Sequence, residues 1–400
     1  MDEKPAALTV HSVAEVFLVF LRLGCTSFGG PIAHLGYFQE EFVQRRRWLS
    51  ADSFSELVAI AQMLPGPASS QIGYSIGLLR AGIPGGIAAW LGFTLPSMLL
   101  MFLFAFGHSI FTGKIGSGFL HGLQLVAVAV VAQAVLTMQR NLAPDRARFG
   151  IALVAVAILF FLPSGGATLL AIVFGAVAGQ LLHRKRLDEF LDGGLLSHSV
   201  SKSAGYLSLA LVVLLLTGSL LINSPLLTAR SLFVGFFRSG SLVFGGGHVV
   251  LPLLENVTVA RGWISQERFL AGYGAAQALP GPLFAYSAYL GASVQPTAHP
   301  ILFGCIAVLA IFLPGLLLMT GVLPFWRSLR ADDRFRKSLQ GVNAAVVGIL
   351  IAALYSPIWT SGIHSSYDFF LALCACALLV QWRTPPWIVV LIAGGITAMR

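Results

Sequence analysis

Apolar runs close to the ~20 residues that span a hydrocarbon layer recur along the whole chain, at residues 83–107, 118–138, 206–222 and 300–323 among others. Six hydrophobic segments centre near residues 23, 66, 95, 128, 155 and 175, and six more near 242, 280, 312, 347, 375 and 393. One further segment, 206–222, stands between the two groups after a polar linker at 183–203. The pattern predicts helices throughout and an all-α polytopic membrane protein.

The two groups are copies of one another. Residues 17–77 align with 233–291, at an offset of 216 at the start and 215 after a single gap. Phe28, Gly29, Gly30 match Phe244, Gly245, Gly246, and Arg22 matches Arg238. Trp48 and Phe54 match Trp263 and Phe269. Gln62, Leu64, Pro65, Gly66, Pro67 match Gln277, Leu279, Pro280, Gly281, Pro282. Hydrophobic composition does not generate shared Trp, Arg and Pro-Gly-Pro. The later parts match more weakly, through Leu95-Pro96 with Leu313-Pro314 and Gln124 with Asn343.

Six segments plus one make an odd number, so the second copy should enter the membrane upside down relative to the first, as in inverted-repeat transporters. The predicted organisation is a first repeat at 1–183, a linker with one extra transmembrane helix at 184–228, and a second repeat at 229–400. With a cytoplasmic N-terminus and thirteen crossings, seventeen of the 25 Lys and Arg fall inside and six outside, while Arg22 and Arg238 stay in the membrane. Arg45, Arg46 and Arg47 break that asymmetry; re-entrant hairpins would move them inside and take the count as low as nine.

Composition narrows the class. Residues are 56% hydrophobic and only 10% charged, against about 25% charged in soluble domains. The net charge of +9 reads as topology-setting loop charge rather than a nucleic-acid surface. The opening residues 1–12 lack the features of a cleaved secretory signal, and no segment has room for a soluble sensor or ATPase module. Cys25, Cys305, Cys374 and Cys376 lie in apolar sequence without a metal-binding pattern and are expected to be small buried hydrophobes.

Candidate chemistry sits at the matched motifs. Pro65-Gly66-Pro67 and Pro280-Gly281-Pro282 fall in the middle of hydrophobic segments, where two prolines around a glycine should break the helix. Broken backbone in a bilayer survives only where protein or a watery cavity satisfies it. A new half-helix after the second proline would aim the amides of Ala68, Ser69 and Ser70 into the break, favouring an anion. Their counterparts are Leu283, Phe284 and Ala285. Gly29, Gly30, Gly245 and Gly246 mark a second pair of interruptions or close helix contacts. Arg22 and Arg238, costly inside a membrane, suit a tetrahedral oxyanion or snorkel to the interface. Gln62 and Gln277 could donate to substrate oxygens or tie off freed carbonyls. Glu40, Glu41, Glu56, Glu255, Asp368, His34 and His248 read mostly as interfacial residues. Gly73-Tyr74-Ser75-Ile76-Gly77 formally matches the serine-hydrolase elbow but lacks a placed histidine partner, so an intramembrane hydrolase is a remote alternative.

These residues resemble the chromate ion transporter family, in its long two-domain form. The resemblance covers nearly the whole chain and rests on Phe28-Gly29-Gly30-Pro31, Trp48-Leu49-Ser50, Gln62–Pro67 and their second copies. It implies a bacterial or archaeal inner-membrane protein that exports chromate and confers resistance, with no cofactor and no metal. The expected partners are a chromate- or sulfate-like oxyanion and the bilayer, not nucleic acid; a homodimer is compatible with this reading. A sulfate transporter or an anion channel of the same architecture is the alternative. Two departures break the equivalence of the copies: Gly247 replaces the proline at Pro31, and Phe284 stands opposite Ser69. Few acids lie in membrane segments, which fits export driven by the membrane potential.

Overall fold

The computed structural model describes residues 10–28, 30–107, 113–162, 167–181, 200–220, 226–244, 247–296 and 298–399. All secondary structure among them is helical. The first copy holds α1 (Val10–Thr26), α2 (Gly30–Phe38), α3 (Ala51–Met63), α4 (Ala68–Phe106), α5 (Lys114–Leu142), α6 (Arg146–Phe161) and α7 (Ala167–Ala178). The inter-copy segment is α8 (Lys202–Leu220). The second copy holds α9 (Ala229–Ser241), α10 (Val250–Thr258), α11 (Gln266–Ala278), α12 (Tyr286–Ser293), α13 (Pro300–Val322), α14 (Trp326–Ala331), α15 (Asp333–Ala353), α16 (Thr360–Gly362), α17 (Ser366–Val380) and α18 (Pro386–Ala398). Most of the expected linker, 182–199, lies outside the described residues.

Matched sequence makes matched structure. Ser50 caps α3 by accepting from the Ser53 amide, and Ser265 caps α11 by accepting from Arg268. Both helices stop at a leucine held extended by the proline that follows: Leu64 at φ −89°, ψ 150° and Leu279 at φ −92°, ψ 149°. Ahead of them α2 runs into a π-helical turn, Gln39–Arg45, whereas α10 stays α-helical. The first copy carries one more residue in this stretch, and a wider turn is how a helix absorbs an insertion.

The long helix α4 is two antiparallel helices. Ala81 and Gly82 leave helical geometry, and Gly77 packs against Gly85 across the turn so closely that neither has room for a Cβ. The second copy makes this hairpin openly, with Gly291 of α12 against Phe303 and Gly304 of α13. In each copy the first helix crosses the second limb of this hairpin at a glycine, Gly24 of α1 on Phe93 of α4 and Gly240 of α9 on Ile311 of α13. Small residues at such crossings let helix backbones approach in a membrane, where apolar burial alone gives little drive.

Among the described residues, helical stretches long and apolar enough to cross a bilayer are Gly116–Leu142, Lys202–Ser219, Pro300–Phe325 and Asp333–Gly362, together with the limb of Ala68–Phe106 that follows the turn at Ala81 and Gly82. The 13-residue helices α3 and α11 reach only about 20 Å each, so neither spans a ~30 Å core alone. Leu103, Phe161, Leu214, Ile301, Leu373 and Leu391 are exposed on the outer faces. A soluble monomer would not carry so extensive an apolar surface, whereas lipid covers it. The chain is a multi-pass membrane protein. Cys25 and Cys305 are exposed rather than buried, and Cys374 and Cys376 half-buried; in lipid, a thiol can face outward at little cost.

Candidate functional site

Both proline-glycine-proline breaks meet in the interior. Gly66 has φ +127° and Gly281 φ +87°, a region that favours glycine, so each break turns as it leaves its first helix. The turns are tied crosswise. The Gly66 amide donates to the Val243 carbonyl at 2.7 Å, and the Gly281 amide donates to the Ser27 carbonyl at 2.9 Å. Ser27 and Val243 are themselves matched positions, each one residue before a Phe-Gly-Gly. A second crossed contact sets Gly66 against Gly315 and Gly281 against Ser97. Each break in one copy is thus completed by the interrupted helices of the other.

A cavity of about 290 Å³ opens between these breaks. That is far above the ~10–15 Å³ a single water needs. Gly30, Gln62, Gly66, Ala68 and Ser69 line it from the first copy, and Gln277, Gly281 and Leu283 from the second. At Pro67 the helix α4 begins without a side-chain cap, and the first intrahelical bond comes from Gln71. The amides of Ala68, Ser69 and Ser70 therefore form the uncapped positive end of a helix beside the cavity. The second break differs: a 3₁₀ turn, Leu283–Ala285, spends the Ala285 amide on Pro282 before α12 begins. The first copy offers the more open donor set.

Side-chain amides add to it. Gln62 is exposed toward the opening, and Gln277 lines the cavity with its buried side-chain amide beside the Tyr273 hydroxyl. Tying off freed carbonyls falls instead to Gln71, fully buried, whose Nε2 donates to Pro65 O at 2.9 Å and Gly315 O at 3.3 Å. Ser70 is buried with its hydroxyl unpaired.

Sequence reasoning missed two contributors. α5 presents Gln133, Thr137 and Asn141 to the cavity, four residues apart and so on one helix face. That polar stripe in an apolar helix was a readable signal. His248 also lines the cavity, its Nδ1 2.6 Å from the Tyr273 hydroxyl.

The two arginines lie elsewhere. Arg22 is exposed on α1 and does not line the cavity. Arg238 donates to the Ser219 hydroxyl at 3.2 Å and to the Ser219 carbonyl, and lines a different cavity of about 890 Å³. The described lining of the first cavity holds no Lys, Arg, Asp or Glu. Pro65, Pro67, Pro280 and Pro282 shape the breaks without lining it, and Gly29, Gly245 and Gly246 lie outside the described residues. Ser75 is buried inside α4 and spends its hydroxyl on Gln71 O at 2.8 Å, so it is no exposed nucleophile.

Outside the spans, Glu41 is clamped by Arg46 at 2.6 Å and Arg45 at 3.1 Å, and Arg46 also reaches Glu15 at 3.2 Å. Burial alone would raise the Glu41 carboxyl, but these two guanidiniums outweigh it and hold it below the usual carboxylate range.

Residues 14–180 and 230–399 match the family described as Chromate transporter. The chromate transport protein of Pseudomonas aeruginosa is 30% identical over 356 residues, covering 85% of this chain and 79% of that protein. A probable chromate transport protein of Synechococcus elongatus is 26% identical over 391 residues, 96% and 94% of the two chains. The chromate transport protein of Cupriavidus metallidurans is 25% identical over 381 residues, 93% and 89%. No solved structure matches the chain.

Proposed function

The chain belongs to the chromate transporter family, and from that premise we propose that it exports chromate from the cytoplasm through the cavity between its two proline-glycine-proline breaks. The observation that carries the site is the crossed pair of amide bonds, Gly66 to Val243 and Gly281 to Ser27, around one 290 Å³ cavity. Reciprocal contacts between equivalent positions are the mark of a two-fold relation, which supports inverted copies meeting near the midplane. The donors proposed for the oxyanion are the amides of Ala68 and Ser69 with the side chains of Gln62, Gln133, Ser69 and Gln277. Sulfate, also a tetrahedral dianion, would be poorly excluded. This family transports rather than catalyses, and Ser75 offers no competing chemistry.

The described lining of the first cavity carries no Lys or Arg, so amide dipoles hold the ion loosely enough to release it. The driving force is the membrane potential. A dianion leaving a negative interior gains about 4.6 kcal/mol per 100 mV, a gradient of roughly 2,000-fold. The proposed setting is the cytoplasmic membrane with the N-terminus inside. Uptake of labelled chromate and sulfate into inverted vesicles, with and without a potential, tests this. Potential-dependent accumulation is expected. No accumulation above protein-free vesicles would overturn transport, and full accumulation on a pH gradient at zero potential would overturn the driving force.

A further inference from the structure

The two breaks are unequal donors, and a side chain of the second copy makes up the difference. The second break spends the Ala285 amide on Pro282, and Phe284 stands where the first copy has Ser69. The second copy also puts His248 in the cavity lining, on the 3₁₀ turn Gly247–Val249 that leads into α10. The offset of 216 that matches the two Phe-Gly-Gly motifs sets Ile32 opposite His248, so the first copy has no such group at that position. We infer that His248 contacts the transported oxyanion directly, donating a hydrogen bond from its Nε2–H, and that Tyr273 is the residue that positions it.

The hydrogen bonding behind the ring fixes which nitrogen carries the proton. Neutral imidazole donates from one nitrogen and accepts at the other. Nδ1 lies 2.6 Å from the hydroxyl of Tyr273, a fully buried residue of α11 that does not line the cavity. A phenol is a better donor than a neutral imidazole, and an imidazole nitrogen is the better acceptor, so the O–H donates to Nδ1. The Tyr273 hydrogen, shut away from water, needs that acceptor. Gln277, one helical turn further along α11, sets its side-chain amide beside the same hydroxyl and can donate to its oxygen. The imidazole proton is thereby left on Nε2. Among the described residues Nε2 has no hydrogen-bond partner, and it is not sealed in: His248 is half-buried on the cavity wall. A neutral N–H adds a donor without adding a charge, so it orients the ion without binding it as tightly as a guanidinium would. The copies then present different donors to one tetrahedral ion: open helix amides at Ala68 and Ser69 from the first, an imidazole N–H from the second.

The contact presupposes oxyanion transport through the first cavity, and the test separates the two. Asparagine and glutamine divide the roles of the imidazole, because an asparagine amide reaches the Nδ1 position and a glutamine amide the Nε2 position. Initial rates of labelled chromate uptake into inverted vesicles are measured against chromate concentration for each variant, and then with sulfate. His248→Asn keeps a partner for Tyr273 but loses the donor to the ion, and should raise KM about tenfold or more. His248→Gln keeps the donor and loses the partner, and should stay near the wild-type KM. A bond to Tyr273 that served structure alone predicts the opposite order. KM does not depend on how much protein folds, so poor yield cannot mimic the result. Tyr273→Phe should raise KM in the wild-type chain, where it frees the tautomer, and leave it unmoved beside His248→Gln, where no tautomer remains to be set. His248→Asn at the wild-type KM, or His248→Gln as impaired as His248→Asn, overturns the contact and leaves the transport reading standing. A wild type that moves neither chromate nor sulfate overturns the transport reading and the contact with it.

Discussion

Replacing Gly66 by alanine tests the crossed breaks at their tightest point. At φ +127° an L side chain is strained, worth about 1–3 kcal/mol. The new Cβ would also lie 2.9 Å from Gly315 Cα and 2.9 Å from Gln71 Nε2. The Gly315 atom is backbone and cannot step aside, so Gln71 moves and the bond to Pro65 O is lost, about 1 kcal/mol more. The sum is roughly 2–4 kcal/mol. Gly281→Ala should cost less. Its Cβ would meet Ser97 Oγ at 2.8 Å, and a hydroxyl can rotate away. Ser97→Gly should therefore recover part of the Gly281→Ala loss, whereas no neighbouring truncation rescues Gly66→Ala. Thermal unfolding of the detergent-solubilised protein, followed by its seven tryptophans, reads the order. Gly66→Ala melting with the wild type, or Gly281→Ala proving the more damaging, would refute the reasoning.

Three other outcomes are expected. Ser69→Phe copies the second repeat's residue into the first cavity and should reduce vesicle transport by about tenfold or more while melting near the wild type, since it removes a donor and fills space; normal transport would take Ser69 out of the path. Gln71→Leu leaves Pro65 O without its donor and should destabilise by about 1–3 kcal/mol, read by the same melt. Glu41 has its folded carboxyl depressed, so its clamp contributes fully above the unfolded pKa and is lost as pH falls through the folded one. Glu41→Gln should flatten the acid limb of stability against pH, and an unchanged limb would assign the acid sensitivity to another group.

Much of this was legible in the chain itself. Pro65-Gly66-Pro67 and Pro280-Gly281-Pro282 set their breaks locally, because each proline pushes the residue before it toward extended backbone and the glycine between them takes a positive φ. The repeated Arg, Trp and Phe-Gly-Gly declared a duplication, and the apolar runs declared a bilayer. The single alignment gap between offsets 216 and 215 even marked the stretch that became a π-helical turn.

Tertiary structure alone decided what the breaks face. That Gly66 bonds to Val243 and Gly281 to Ser27 depends on how the copies dock, which no local propensity encodes. Arg22 and Arg238 match in sequence, yet one ends exposed and the other lines a cavity, because their helices meet different neighbours. The carbonyl-capping role went to Gln71 rather than Gln62 or Gln277 for the same reason: side-chain reach across a turn is set by three-dimensional geometry, not spacing. Gln133, Thr137 and Asn141 formed a visible stripe, but only packing could say that it looks inward at the breaks rather than outward at lipid.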